Sequence, residues 1–271
     1  MRKINFTKMV ASGNDFVVLA SGKGSLGSLK SLSRKLCDRK YGVGADGLLI
    51  LEKSSKADAR MRVFNADGSE AEMCGNGARC AALYYSRQLK ASSLNFRVET
   101  KAGKISAQVK GDKVKIRLTD PKGLKLNMPL SVNGRSLRVN FINTGVPHTV
   151  IFVEGLNNID VEGIGRQVRF HSKFSPKGTN VNFVQLLGNE SIGVRTYERG
   201  VEGETLACGT GSTASALILA ASCKFLSSGG INVKTKGREI LRVYFDRDKD
   251  GFRNVWLEGR AKIVYKGECY V

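Results

Sequence analysis

Two cysteines in this chain occur in the same short pattern, Cys-Gly-x-Gly, and each is followed by residues that favour a helix. The first pattern covers residues 74–77 and the second covers residues 208–211. Glycines permit a tight entry, and alanine and leucine favour helix, so each cysteine is predicted to lie at a helix N-terminus. Free backbone N–H groups and the helix dipole stabilise anions there. The position therefore predicts a lowered cysteine pKa and a binding place for a carboxylate.

A pair of such cysteines could invert a tetrahedral carbon. Inversion needs one group that removes a proton from one face and a second group that returns a proton to the other face. The pattern therefore predicts racemisation or epimerisation, with Cys74 and Cys208 as the catalytic groups. A redox dithiol is the competing chemistry, but its usual Cys-x-x-Cys signature is missing from the sequence. The other four cysteines are predicted to be buried, structural thiols: Cys37, Cys80, Cys223 and Cys269.

The two cysteine patterns belong to two halves of the sequence that resemble each other. Five short segments recur in the same order, 132 to 135 residues apart: 12–18 with 144–150, 44–48 with 178–182, 62–65 with 195–198, 74–77 with 208–211, and 98–101 with 233–236. Each half has turns and strands, then the cysteine pattern with its helix, then closing strands. This order predicts an α+β fold of two pseudo-symmetric halves, each a mixed or antiparallel β-sheet wrapped around a central helix, with the active site in the cleft between them.

The composition indicates which kinds of partner the chain is expected to bind. The chain has 271 residues, a formal net charge of +20, six cysteines and two histidines. Basic residues are scattered, as in the alternation of Lys113, Lys115 and Arg117, without interleaved aromatic residues, so no nucleic-acid partner is expected. A basic nucleic-acid-binding protein without catalysis remains the rival class, and a salt titration of binding separates the two. With so few histidines and no Cys-x-x-Cys pair, no metal site is expected.

The location in the cell is predicted from apolar runs. Polar residues interrupt residues 1–21, so no signal-peptide core is expected there. The longest apolar stretch, residues 214–221, is far shorter than the roughly 20 residues of a membrane-spanning helix. A cytoplasmic protein without a membrane partner is expected.

The motifs resemble those of the diaminopimelate epimerase family over nearly the whole chain. The segments that carry the resemblance are residues 8–9 and 13–16, 42–47, 64–69, 73–80, 178–183, 197–200 and 207–211. The resemblance implies conversion of LL-diaminopimelate to the meso form, in lysine and peptidoglycan precursor biosynthesis, without pyridoxal phosphate, metal or other cofactor.

The resemblance also implies the residues that hold this small-molecule substrate. They are Asn14, Asn65, Gly75, Asn76, Asn180, Glu198, Arg199, Gly209 and Thr210. An arginine can clamp a carboxylate in a bidentate fork, and glutamate and asparagine oxygens can accept from ammonium groups. His148 and Glu198 are expected to tune the pKa values of the cysteines, although His148 could equally be a hydrogen-bonded core residue.

Two positions depart from the family pattern: many members have Asn where this chain has Val146, and Gln where this chain has Gly47. These departures leave room for a related substrate, as in a proline or hydroxyproline racemase or a phenazine-type isomerase. The family likeness predicts that residues 1–118 with 262–271 form the half that carries Cys74, and that residues 119–261 form the half that carries Cys208. A homodimer is a possible assembly that the sequence does not decide.

Overall fold

The computed structural model describes residues 3–20, 27–91, 93–223 and 228–271. Residues 1, 2 and 21 of the N-terminal segment considered above lie outside this part. The α-helices are α1 (Leu29–Cys37), α2 (Gly75–Gln88), α3 (Val161–Arg169) and α4 (Gly209–Ser222). Short 3₁₀ helices cover Leu156–Asn158 and Ser172–Phe174.

The strands are β1 (Lys3–Ala11), β2 (Asn14–Ala20), β3 (Gly47–Glu52), β4 (Ala59–Asn65), β5 (Glu70–Ala71), β6 (Ser93–Thr100), β7 (Gly103–Lys110), β8 (Lys113–Arg117), β9 (Lys122–Val132), β10 (Arg135–Asn143), β11 (Pro147–Phe152), β12 (Asn180–Gly188), β13 (Ser191–Glu198), β14 (Gly203–Thr205), β15 (Ser228–Lys234), β16 (Ile240–Asp248), β17 (Gly251–Arg260) and β18 (Lys262–Tyr270).

The chain divides into two compact units. One consists of Met1–Ile116 and Gly259–Val271, and the other of Arg117–Glu258. In the first unit, β1 pairs antiparallel with both β18 and β2. Strand β2 is parallel to β3, β3 is antiparallel to β4, and β4 is antiparallel to β5 and parallel to β6. Strands β6, β7 and β8 continue as an antiparallel meander.

The second unit repeats these pairings strand for strand. Strand β10 pairs antiparallel with both β9 and β11, β11 is parallel to β12, and β12 is antiparallel to β13. Strand β13 is antiparallel to β14 and parallel to β15, and β15, β16 and β17 pair antiparallel in sequence. The predicted α+β class, with a mixed sheet in each of two similar halves, is confirmed.

In each unit, one central helix packs against most of the strands of the sheet. Helix α2 contacts strands β1, β2, β3, β4, β6, β7 and β18, and α4 contacts β9 to β13, β15 and β16. Residues 211–220 of α4 are buried without a break, because alanine, leucine and isoleucine occupy most positions around this helix. Its buried hydroxyl groups are satisfied locally, as where Thr213 donates to the Gly209 carbonyl at 2.9 Å.

The other helix of each unit is amphipathic and covers the sheet from one side. Ser28 caps α1 by accepting from the Ser31 N–H, and Asp160 caps α3 by accepting from the Gly163 N–H at 2.8 Å. Leu32 and Leu36 of α1 pack with Leu48, Ile50 and Phe64. Complete burial of each such side chain contributes about 1.5–3 kcal/mol, which fixes the helix on its sheet.

No helix among the residues that the structure describes is both long enough and apolar enough to cross a membrane.

Candidate functional site

The two cysteines of the repeated pattern occupy the same position in their units, as the N-cap residues of the central helices. Cys74 has extended backbone (φ −139°, ψ 121°) and its Sγ accepts from the Gly77 N–H at 3.4 Å. Cys208 has nearly the same backbone (φ −113°, ψ 113°) and its Sγ accepts from the Gly211 N–H at 3.4 Å. The prediction that both cysteines lie at helix N-termini is therefore confirmed.

The residues after each cysteine form the first turn of its helix. Gly75 and Asn76 begin α2, and Gly209 and Thr210 begin α4. The first N–H groups of an α-helix have no partner within the helix, and they point outward from its positive end. Each motif therefore provides main-chain donors next to a thiol, which suits a carboxylate bound beside the sulfur.

Asn14 is the predicted substrate residue that contacts Cys74. The Cys74 thiol donates to Asn14 Oδ1 at 3.8 Å, and Asn76 Nδ2 donates to the same oxygen at 3.4 Å. Asn14 Nδ2 in turn donates to Asp46 Oδ2 at 2.9 Å. The structure brings these residues together around Asn14 Oδ1.

Arg79 supports this group and was not assigned a role from the sequence. It is fully buried, and it donates to Asn76 Oδ1 and to Ser12 Oγ at 2.6 Å each, and to the Arg260 carbonyl at 3.2 Å. These bonds fix which way the Asn76 amide faces, so that its Nδ2 is directed to Asn14. The signal in the sequence is its place three residues after Asn76, on the same face of α2.

A network of charges holds the turn on which Asn14 lies. Lys8 is buried; it donates to the Gly44 carbonyl and forms an ion pair with Asp15 at 2.8 Å. Arg39 bonds to Asp15 Oδ1 at 2.9 Å and to Asp46 Oδ1 at 2.7 Å. Burial alone raises the pKa of Asp15, but the hydrogen bonds from Arg39, Lys8 and the Asp46 N–H outweigh burial and hold that pKa well below its usual range.

Asn65 is the exposed last residue of β4, and its side chain bonds to the turn that follows and not to the group around Cys74. Its Nδ2 donates to Ser69 Oγ at 2.9 Å, and its carbonyl accepts from Ser33 Oγ and from the Gly68 N–H. A role for Asn65 in holding substrate stays a prediction.

In the second unit, burial dominates the electrostatics of Cys208. The residue is 7% exposed, and burial together with the negative charge of Glu198 raises the pKa of Cys208 to about 12. The Thr210 hydroxyl at 3.5 Å and the N–H groups of Thr210 and Gly211 act in the opposite direction but are outweighed. The prediction that the helix N-terminus lowers this pKa is therefore wrong for Cys208 in this structure, where the thiol is protonated at neutral pH.

Glu198, Arg199 and Asn180 lie together at one corner of the second sheet. Asn180 Oδ1 accepts from the Arg199 N–H at 2.9 Å, and its Nδ2 donates to the Pro147 carbonyl at 3.0 Å. The Arg199 guanidinium donates to the Lys177 carbonyl at 3.3 Å. Burial raises the pKa of Glu198. The corner thus holds a carboxyl group that takes up a proton more readily than usual.

His148 is completely buried on β11 and is hydrogen bonded to Asn182, whose side chain was not assigned a role from the sequence. Asn182 Nδ2 lies 3.1 Å from His148 Nδ1. Burial and the charge of Arg199 lower the pKa of His148 to about 3, so the imidazole is neutral at physiological pH. The available signal was the spacing of Asn180 and Asn182, because residues two apart on a strand share one face of the sheet.

We expect Gly211→Ala to destabilise the protein by about 1–3 kcal/mol, because an added Cβ would overlap Asn182 Oδ1, which three hydrogen-bonded neighbours hold in place. Gly77→Ala is the matched control at the same motif position. Its Cβ would come 3.0 Å from the terminal methyl group of Leu49, which can move, and alanine favours helix. Urea unfolding measures both variants. Equal losses of stability in the two variants would show that the contact between Gly211 and Asn182 does not set the cost of the substitution.

The two departures from the family pattern occupy different surroundings. A Cβ on Gly47 would lie 2.8 Å from the Phe64 carbonyl and 3.3 Å from the Phe16 ring. A glutamine would therefore require β3 and β4 to shift. Val146 is half-buried in the turn before β11, and its carbonyl accepts from the Thr144 N–H at 3.2 Å.

Within the described parts of the chain, no group of three or more His, Cys, Asp or Glu side chains is arranged to hold a metal ion.

We expect Glu198→Gln to lower the pKa of Cys208, since it removes the negative charge that disfavours the thiolate. The measurement is the rate of alkylation of Cys208 against pH, followed by peptide mass spectrometry. Glu202→Gln is the control, because Glu202 lies on the same turn but binds Arg169. An unchanged or raised pKa of Cys208 in Glu198→Gln would show that this charge does not act on the sulfur.

Comparison with known proteins identifies similar chains. The family model described as diaminopimelate epimerase matches residues 6–122 and 140–264. A diaminopimelate epimerase of Hydrogenobaculum sp. (strain Y04AAS1) is 43% identical, covering 96% of each chain, and that of Aquifex aeolicus (strain VF5) is 43% identical, covering 97% of each.

Solved structures share the fold at low sequence identity. A phenazine biosynthesis protein from Bacillus anthracis has a TM-score of 0.75 at 19% identity and covers 100% of both chains. A probable proline racemase from Agrobacterium radiobacter K84 has a TM-score of 0.74 at 14% identity, covering 99% of this chain and 92% of that chain.

Proposed function

Because this chain belongs to the diaminopimelate epimerase family, and is therefore an isomerase, we propose that it interconverts LL- and meso-diaminopimelate without a cofactor. The reaction supplies a precursor for lysine and peptidoglycan biosynthesis, and we place it in the cytoplasm, with a homodimer as the assembly. Residues 1–118 with 262–271 would supply Cys74, and residues 119–261 would supply Cys208.

The observation that carries the proposal is the duplicated capped cysteine. Two units with the same strand pairing each place one sulfur at the N-terminus of a central helix, bonded to the N–H three residues on. Two equivalent thiols are what a two-base inversion needs, since either can remove the proton and the other can return one. Cys74 and Cys208 would act on opposite faces of the same Cα.

Cys208 must lose its own proton before it can act as a base. Glu198, whose charge acts on Cys208 and whose own pKa is raised by burial, would accept that proton. The Cys208 thiolate would then remove the Cα proton, and the Cys74 thiol, which donates to Asn14, would protonate the opposite face. The carbon is inverted, Cys208 ends as the thiol, and Cys74 ends as the thiolate. The reverse reaction exchanges the two roles.

The substrate would be held by groups that match its charges. The carboxylate of the reacting centre would accept from the N–H groups of the two first helical turns, at Gly75, Asn76, Gly209 and Thr210. Arg199 would clamp a carboxylate, and Glu198 and the amides of Asn14, Asn65 and Asn180 would bind the remaining polar ends. His148, as a neutral ring, would help to tune the pKa values of the two cysteines.

Hydrogen exchange tests this function. The protein is incubated in deuterated water with LL-diaminopimelate, and separately with L-proline, and the α-proton signal is followed by NMR. We expect loss of the signal and appearance of the meso isomer with diaminopimelate, and neither change with L-proline. Exchange of proline alone would replace the proposal with a proline racemase. The double variant Cys74→Ala/Cys208→Ala is the control for background exchange.

The net charge of +20 is proposed to be a solvated surface, not a nucleic-acid site. Filter binding to duplex DNA and to RNA across a salt series tests this, because neutralised phosphates give a steep decline of affinity with salt. We expect little retention at physiological salt, and strong retention there would contradict the proposal.

A further inference from the structure

His148 is held in an environment that decides where its proton lies. The residue is on β11, at a position that pairs in register with Asn180 of the parallel strand β12, and none of its surface is exposed. Its Nε2 has no hydrogen-bond partner among the residues that the structure describes. A buried N–H without a partner costs free energy, so such an atom calls for an explanation.

The orientation of the Asn182 amide is fixed by its other neighbours. Asn182 Nδ2 lies 3.1 Å from the Thr149 carbonyl, which can only accept a hydrogen bond, so this atom must be the nitrogen. On the other side, Thr196 Oγ1 donates to Asn182 Oδ1 at 3.0 Å. A rotated amide would place its oxygen against the Thr149 carbonyl oxygen. The assignment of nitrogen and oxygen in this amide therefore follows from its surroundings.

The same nitrogen faces the imidazole. Asn182 Nδ2 carries two hydrogens, and the one not used by Thr149 is directed to His148 Nδ1 at 3.1 Å. Nδ1 must therefore be an acceptor without a proton, and the neutral ring carries its hydrogen on Nε2. An imidazolium would set two N–H groups against each other at this contact. The charge of Arg199, on the turn after β13, also opposes a positive ring.

We propose that Asn182 is a positioning residue that fixes His148 as the neutral Nε2–H tautomer, so that His148 serves the epimerase as a hydrogen-bond donor to an anionic group and does not itself transfer a proton. The role in the reaction rests on the proposed function, whereas the tautomer does not. The acceptor class follows from the site: Nε2–H can only donate, and the nearby positive charge of Arg199 favours an anion, such as a carboxylate oxygen of the substrate.

The side chain of Asn182 packs against the first turn of α4, where Gly211 leaves space for it. Gly211, whose N–H donates to Cys208 Sγ, has no Cβ, and the amide oxygen of Asn182 occupies the space that a Cβ would take. The residue that orients His148 therefore also packs against the first turn of α4. This contact explains why the second glycine of the Cys-Gly-x-Gly motif in this unit, Gly211, is a glycine.

Nitrogen-15 NMR of the histidine rings tests the proposal without reference to turnover. The chain has only His148 and His171, so His171→Gln removes the second set of signals and assigns the first. We expect the wild-type spectrum at neutral pH to show His148 with unprotonated Nδ1 and protonated Nε2. A spectrum with protonated Nδ1 would overturn the proposal.

Two variants test whether Asn182 is the cause. Asn182→Asp replaces the donor by an acceptor and should move the proton of His148 to Nδ1, whereas Asn182→Leu removes the donor and should give a mixture of tautomers. Asn140→Leu is the control, since Asn140 is a buried asparagine of the same unit whose amide bonds to Val150 and Asn127. A folded Asn182 variant with the wild-type histidine pattern would overturn the proposal. If Asn182→Asp does not fold, Asn182→Leu decides alone.

The role as a donor has its own measurement. Addition of diaminopimelate to the wild-type protein should shift the Nε2 proton resonance of His148, because that hydrogen gains an acceptor. Asn182→Leu should lower kcat/KM by about 10- to 100-fold, the range for one oriented hydrogen bond. Normal turnover with an unmoved resonance would overturn the donor role. Absence of turnover with the expected tautomer would refute the proposed function and leave the action of Asn182 intact.

Discussion

Replacing either Cys74 or Cys208 by alanine is expected to reduce epimerisation of diaminopimelate by at least about 10²- to 10⁴-fold, the contribution of a positioned acid or base. Each variant keeps one sulfur and loses the other. Removal and return of the proton on opposite faces then cannot both be assisted, so both variants should fail in both reaction directions. The measurement is the rate of interconversion of the LL and meso isomers.

Two other cysteines provide matched controls for these variants. Cys37 is buried at the end of α1, and Cys223 is half-buried at the C-terminus of α4. Cys37→Ala and Cys223→Ala test whether loss of any thiol harms the protein, and we expect both to turn over at close to the wild-type rate. Circular dichroism verifies that all four variants fold. Wild-type turnover by Cys74→Ala or Cys208→Ala would contradict the two-thiol mechanism.

The four cysteines that were predicted to be structural differ in burial. Cys37 and Cys80 are buried, and burial raises the pKa of Cys80 to about 12. Cys223 and Cys269 are half-buried, so the prediction of burial holds for them only in part, although Cys269 packs against the hydrophobic core of the first unit. They lie at the end of α4 and near the end of β18, where fewer neighbours cover a side chain.

Lys8→Met is expected to lower the free energy of unfolding by about 3 kcal/mol, because it leaves a half-buried carboxylate and a carbonyl group without their buried cation. Lys8 is 7% exposed and pairs with Asp15 at 2.8 Å, and it also donates to the Gly44 carbonyl. Arg39 still binds Asp15 in the variant, which keeps the loss at the lower end of the range for a broken buried pair. Urea unfolding at neutral pH measures the change.

The matched control is Lys3→Met, which removes a lysine from an ion pair of similar length on the same strand. Lys3 lies 2.7 Å from Glu268, but both side chains are about half exposed at 52%. Water and ions screen such a pair, so we expect a loss of about 0–1 kcal/mol. Equal losses in the two variants would show that burial does not strengthen the Lys8 pair.

The cost of Lys8→Met should also depend on pH in a fixed direction. The pKa of Asp15 is lowered in the folded protein, so its contribution to stability is present above the unfolded value of about 3.9 and is lost as the pH falls toward the folded value. The difference between wild type and Lys8→Met should thus be constant near neutrality and shrink below about pH 4. A difference that grows in acid would contradict this account.

The sequence by itself determined the features that depend on short stretches of chain. Glycines beside Cys74 and Cys208 and the alanine-rich residues after them specify a capped helix start through local backbone geometry alone. The repeat of these local signals, at a nearly constant spacing, indicated two similar units, and the matching strand pairings agree. The family followed from the same motifs, because they are short, ordered and placed along nearly the whole chain.

Only the tertiary structure decided which polar groups meet and how deeply they are buried. Arg79 bonds to Ser12 and Arg260, and Asn182 bonds to His148, across separations in the chain that no local pattern reports. The pKa of Cys208 is the clearest case. The helix N-terminus and the burial of the thiol shift it in opposite directions, and the sequence reveals the first effect but not the second. Burial prevails because removing water from a thiolate costs more free energy than the first-turn N–H groups return.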